Sequence, residues 1–208
     1  MVAEKLISVL DAPMVVQEHS LHISTSIGVC LYPQDGKDKD VLLRNADTAM
    51  YQAKSSGRNT FRFYTESMNA ETNRRYRIES ALHAGVNDGE LMLYYQPLVD
   101  MQSGQIFGAE ALVRWQSRLL GMVQPNQFIG VAEETDLIVK LDSWVLRKAC
   151  QQGAQWHREL GRDWMVAVNV SALQFQQAHF VHGVAQTLAE HGLPPHLLEL
   201  ELTESILI

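Results

Sequence analysis

Cysteine is scarce: Cys30 and Cys150 are the two in 208 residues, and they form no CxxC pair. Such usage excludes a disulfide scaffold and fits a reducing compartment. Long hydrophobic runs are missing too, since none reaches the roughly 18 residues that a membrane helix needs. Charged Glu4 and Lys5 stand where a signal peptide would be apolar. There is no excess of basic charge, because the formal net charge is -7. A nucleic-acid polymer and a polybasic membrane contact are thereby excluded, whereas a small anion needs only a few converging cations. The expectation is a cytoplasmic segment without membrane contact, compatible with a parent anchored in a membrane upstream. The 46% hydrophobic content suffices for real cores in one or two domains.

Periodicity divides the chain. Residues 2–10 read as the end of an amphipathic helix with Leu6, Val9 and Leu10 on one side. A strand follows in LHISTSIGVCLYP, where Ile23, Thr25, Ile27, Val29 and Leu31 alternate. From about Asp38 a helical stripe carries Leu42, Ala46, Ala49, Met50 and Ala53, stopping near Gly57, and TFRFY (60–64) is a short strand. A polar helix then spans 65–89 as a linker. Beyond it, LMLYYQP, FGAEALVRW, MVAVNVS and LLELELTE read as strands, with helices over 126–133, 136–160 and 178–191. Strand–helix alternation of this kind implies an α/β unit of parallel strands flanked by helices.

Period-2 geometry sorts the side chains of these strands. Glu110, Leu112 and Arg114 share one face, with Ala109, Ala111 and Val113 on the other. Asn169 lies opposite Val166, Val168 and Val170, while Glu199, Glu201 and Thr203 lie opposite Leu198, Leu200 and Leu202. Gln96 shares a face with Tyr94 and Met92. In a closed barrel the apolar faces pack under helices and the polar residues point inward. Buried carboxylates then need a cation or donors, and two carboxylates with an amide oxygen form a hard-oxygen set suited to Mg²⁺ or Mn²⁺. The alternative is an antiparallel sheet with one wet face, on which Glu199 and Glu201 simply meet water.

Longer motifs add a resemblance. Tyr95-Gln96-Pro97-Leu98-Val99, Gly108-Ala109-Glu110-Ala111-Leu112-Val113-Arg114-Trp115, Val168-Asn169-Val170-Ser171 and Leu198-Glu199-Leu200-Glu201-Leu202-Thr203-Glu204-Ser205 appear in order. With Pro125, Phe128-Ile129, Ala132-Glu133-Glu134 and Gln174-Phe175 between them, the series over 90–208 resembles the first half of an EAL domain. That resemblance implies a partial TIM-like (β/α) barrel from a metal-dependent phosphodiesterase that hydrolyses cyclic-di-GMP to pGpG with two Mg²⁺ or Mn²⁺ ions. It implies catalytic metal ligands at Glu110, Asn169 and Glu201, and ligand contacts at Gln96, Leu112 and Arg114. Thr203 and Glu204 match a pair supporting a mobile loop, and a homodimer through this domain is implied. Ser117-Arg118 stands where the family usually has His-Pro, and Gly130 replaces a usual Pro. The family's acidic pair, lysine, later glutamate and final glutamine are expected beyond Ile208, so residues 1–208 alone are expected to be catalytically incomplete.

Residues 1–64 resemble the C-terminal part of a GGDEF domain, an α+β nucleotide cyclase-like fold. Ser24-Thr25-Ser26-Ile27-Gly28-Val29, Asn45-Ala46-Asp47-Thr48-Ala49-Met50-Tyr51-Gln52-Ala53-Lys54 and Gly57-Arg58-Asn59 carry this likeness. It implies vestigial GTP phosphate contacts at Lys54 and Arg58, which compete with the plainer reading of a helix-terminal lysine and a solvated turn arginine. The pairs His19/His22 and His179/His182 lack a third ligand nearby and read as ordinary surface histidines. Three functions remain: the hydrolase, a receptor that binds cyclic-di-GMP without cutting it, and a structural regulatory domain that acts through dimerisation with GTP as effector of the cyclase-like part.

Overall fold

A computed structural model describes residues 1–17, 19–21 and 23–202. The chain forms two compact units, Met1–Tyr76 and Arg77–Ile208.

In the first unit, α1 (Val2–Leu10) precedes an antiparallel pair, β1 (Met14–Val16) and β2 (His19–Leu21). Ala3, Ile7 and Leu10 are its covered positions, at i, i+4 and i+7, whereas Leu6 and Val9 are exposed. The long strand expected over 21–33 is shorter, with β3 confined to Ser26–Val29. Helix α2 (Lys39–Ser55) connects β3 to the parallel strand β4 (Thr60–Phe63). Asp38 starts it, its carboxylate accepting from the Val41 N–H at 2.9 Å. Ala49 and Ala53 are fully buried. Gly28 lets β3 approach α2 closely, because a Cβ there would collide with the backbone at Ala46 and Met50.

Helix α3 (Glu66–Gly85) covers most of the segment expected as a linker. Its second half is core: Ile78, Ala81 and Leu82 are buried and pack with Leu91, Trp115 and Phe128 of the second unit. The second unit then runs β5 (Leu91–Val99), β6 (Ile106–Ser117), β7 (Gly121–Val123), α4 (Pro125–Glu134), α5 (Leu137–Leu160) and β8 (Met165–Val170). It continues through α6 (Ala172–Phe175), α7 (Phe180–His191), a 3₁₀ turn at Pro195–Leu197, and β9 (Leu198–Leu202). The sheet order is β5-β6-β8-β9, with β7 also on β6. Strands β6, β8 and β9 are parallel, as a partial TIM-like barrel requires.

One expectation is corrected. Strand β5 runs antiparallel to β6, from Leu91 opposite Trp115 to Val99 opposite Ile106. The interval 100–105 is too short for a parallel crossover, which takes about a dozen residues or more. A tight turn closes it instead: the Asp100 Oδ1 accepts from the Ser103 N–H and hydroxyl, both at 2.7 Å, and from the Gln102 N–H at 3.2 Å. These bonds hold the exposed Asp100 carboxyl below its usual range.

The core lies between the sheet's apolar face and helices α3, α4 and α5. Trp115 and Phe128 are fully buried and meet edge-on at 5.6 Å between ring centroids. Trp156 on α5 meets Tyr95 at 4.9 Å and Trp164 at 5.9 Å, so these tryptophans serve packing of helix on sheet. At the two departures from the usual motif, Ser117 is buried and its hydroxyl accepts from the Leu119 N–H at 3.3 Å. The Arg118 N–H, which a proline would lack, donates to Glu90 Oε1 at 3.3 Å. Gly130 sits in α4 with open space where a Cβ would be.

Candidate functional site

Register converts the strand faces into a site. Gln96 on β5 lies opposite Glu110 on β6, Glu110 opposite Ala167 on β8, and Ala167 opposite Glu199 on β9. Along the same face, Tyr94 lies opposite Leu112, Asn169 opposite Glu201, and Met92 opposite Arg114. Polar residues from β5, β6, β8 and β9 therefore share one surface, with Asn169 and Glu201 near the C-terminal ends of their strands.

The side chains meet. The Asn169 Nδ2 donates to Glu110 Oε1 at 2.7 Å. Glu201 is half-buried, and its carboxyl titrates above its usual range, first through burial and then through the Glu110 and Glu199 carboxylates. The neighbouring like charges disfavour the ionised form of Glu201. The carboxylates are therefore short of positive charge, and the Asn169 amide supplies a donor to one of them. A divalent cation fits that deficit, and turning the amide would aim the Asn169 oxygen where its nitrogen now points. Among the described residues, no three His, Cys, Asp or Glu side chains converge as a ready-made metal cluster. The Glu110–Asn169–Glu201 set depends on its amide for a third donor.

Arg114 is half-buried, with Nη1 donating to the Val113 carbonyl at 2.8 Å. Its guanidinium carbon lies 5.5 Å from the centroid of the Tyr94 ring. Leu112, Arg114, Ile129, Glu133, Asp142 and Asn169 border one cavity of about 290 Å³. Gln96 is exposed on the shared face. Thr203 and Glu204 lie outside the described residues. In the first unit, Lys54 is exposed in the last turn of α2. Arg58 is exposed in the turn that follows, at φ 59°.

Asp142 is a further element, which strand periodicity could not reveal because it sits on a helix. It is buried on α5, and its Oδ2 accepts from the Ser171 hydroxyl at 2.6 Å and the Ser171 N–H at 3.1 Å. The Ser171 hydroxyl in turn accepts from the Gln174 N–H at 3.2 Å and caps α6. This chain of bonds fixes the end of β8 just beyond Asn169. Burial pushes the Asp142 carboxyl up, Ser171 pulls it down, and Glu133 adds to the rise. A folded value above the unfolded one means that the fold binds this proton more tightly. Stability is then greatest below the unfolded pKa and falls as pH rises toward the folded pKa. Asp142→Asn keeps an acceptor for Ser171 and is expected to flatten that slope. Asp142→Ala, which leaves the Ser171 donors unpaired, is expected to cost about 1–3 kcal/mol. Urea unfolding across pH reads both, and an unchanged midpoint for the alanine variant would contradict the anchoring role.

Residues 78–208 match the EAL domain family, and residues 1–60 match the diguanylate cyclase GGDEF domain. The bifunctional diguanylate cyclase/cyclic di-GMP phosphodiesterase MucR of Pseudomonas aeruginosa is 43% identical over 98% of this chain and 30% of its own length. The cyclic di-GMP phosphodiesterase PdeR of Escherichia coli K12 is 36% identical over 99% of this chain and 31% of its own length. The chain thus spans under a third of the length of these relatives. The solved PaMucR phosphodiesterase in complex with c-di-GMP superposes with a TM-score of 0.59 at 41% identity, covering 62% of this chain and 52% of that one. No described helix is long and apolar enough to cross a membrane. With more than half of its residues matched, and with the strand register that places Glu110, Asn169 and Glu201 on one face, the chain belongs to the EAL-domain family.

Proposed function

We propose that the whole protein is a metal-dependent cyclic-di-GMP phosphodiesterase to which this chain contributes one side of the site. The observation that carries this reading is the contact of Glu110 with Asn169 beside a Glu201 whose ionisation its neighbours oppose. Family membership and the activities named for MucR and PdeR support it.

The residues divide the work. Glu110, Asn169 and Glu201 would hold Mg²⁺ or Mn²⁺, since all offer hard oxygens. Bound there, such ions supply Lewis acidity and lower the pKa of a water. Arg114 binds a phosphate of cyclic-di-GMP, its fork of donors matching two phosphate oxygens. Leu112 and Gln96 border the ligand on the same face. Asp142 and Ser171 hold the end of β8 in register. Lys54 and Arg58 are exposed cations that an anionic nucleotide such as GTP could meet in the cyclase-like part.

Arg114 provides the test. Arg114→Ala is expected to weaken cyclic-di-GMP binding by about 1.5–3 kcal/mol, the worth of a hydrogen bond to a charged group. Calorimetry on the whole protein measures it, and equal affinity in the variant would refute the phosphate contact.

A further inference from the structure

We infer that Tyr94 is a positioning residue for Arg114, its ring forming the platform that holds the guanidinium over the ligand-binding face. The inference rests on the cyclic-di-GMP reading of that face.

Strand β5 places Leu91, Leu93 and Tyr95 toward the core, where each is buried or packed against it. Tyr94 alternates with them and points to the opposite face, where it is 52% exposed. Register puts Arg114 beside it. Tyr94 lies opposite Leu112, and Arg114 lies opposite Met92, so Tyr94 and Arg114 are diagonal neighbours across the β5–β6 pair. That diagonal is within reach of long side chains. The guanidinium carbon stands 5.5 Å from the ring centroid, inside the range in which the ring's negative face attracts a cation.

Among the described residues Arg114 has one other anchor, the Val113 carbonyl on Nη1. Among the described residues no carboxylate pairs with it. Ring and carbonyl together hold the side chain while leaving most of its donors for an anion. A flexible arginine loses rotamer freedom when it clamps a phosphate, and one already held in place loses less. Tyr94 therefore acts on affinity through Arg114 and has no direct part in bond cleavage. Its neighbour in register, Leu112, belongs to the same ligand surface, so the platform lies where the nucleotide is bound.

The test is a double-substitution cycle in the whole protein, read by cyclic-di-GMP titration and by steady-state hydrolysis. Tyr94→Leu should weaken binding about three- to tenfold, the size of a partly desolvated cation–π contact. It should raise KM by a similar factor and leave kcat within about twofold, since binding is changed and the reacting groups are not. Tyr94→Phe keeps the ring and should bind like wild type. In an Arg114→Ala background, Tyr94→Leu should change affinity by less than about 1.5-fold, because the group it positions is gone. Wild-type affinity in Tyr94→Leu would overturn the inference, and so would an equal loss in both backgrounds. If Arg114→Ala itself binds like wild type, the phosphate-contact reading fails and the inference goes with it. If Arg114→Ala binds weakly while Tyr94→Leu does not, only the inference fails.

Discussion

Replacing Glu110 with alanine is expected to lower Mg²⁺- or Mn²⁺-dependent release of pGpG by the whole protein more than about 100-fold. Removing a group that merely supports a metal ligand typically costs about 10–100-fold, and Glu110 is assigned as a ligand itself. The variant also strips Asn169 of its acceptor at 2.7 Å and relieves Glu201 of a neighbouring negative charge. The Glu201 carboxyl should therefore titrate closer to its ordinary range in the variant. Folding should survive, because Glu110 is half-buried on the face away from the core. Product analysis by chromatography reads the effect, and turnover at the wild-type rate would remove Glu110 from the metal site.

Trp115→Ala carries the largest expected loss of stability. Its ring is fully buried in the cluster built from α3, β5, β6, α4 and α5. Its Nε1 donates to Glu90 Oε2 at 3.0 Å, and Gly85 leaves room for it where a Cβ would come within 2.7 Å of Nε1. Removing a large buried aromatic costs about 3–5 kcal/mol, part of it from the cavity left behind. The nearly buried Glu90 carboxylate would keep, among the described residues, Arg118 as its side-chain partner. Chemical denaturation followed by circular dichroism gives the value. Trp115→Phe should recover much of the packing while still lacking the bond to Glu90. A midpoint unchanged in Trp115→Ala would mean that this cluster does not hold the second unit together.

Much of the site could be read in the sequence because strands carry a short period. Alternation alone put Glu110, Leu112 and Arg114 on one face of β6, and Glu199 and Glu201 on one face of β9. The observed register joins those faces. Strand–helix alternation predicts a parallel β5, although the brevity of 100–105 and the Ser103-Gly104 pair signal a turn. Length of connection, rather than hydrophobic pattern, decides between antiparallel and parallel pairing. Asp142 was hidden for another reason. On α5 it reads as a polar interruption in a helix, and its partner Ser171 lies across a loop and a strand. The contact of Tyr94 with Arg114 depends on a diagonal between strands, which exists only once the register is fixed. The second half of α3 reads as part of a polar linker helix because charged residues run through the segment. Ile78, Ala81, Leu82 and Gly85 suffice to bury one face.

Incubation of the purified whole protein with cyclic-di-GMP and Mn²⁺ or Mg²⁺, with products separated over time, distinguishes the phosphodiesterase from a receptor. Linear pGpG is expected, its formation stopped by a chelator and restored by adding the metal back. Tight binding of cyclic-di-GMP that stays intact with either metal would contradict it and make the protein a receptor.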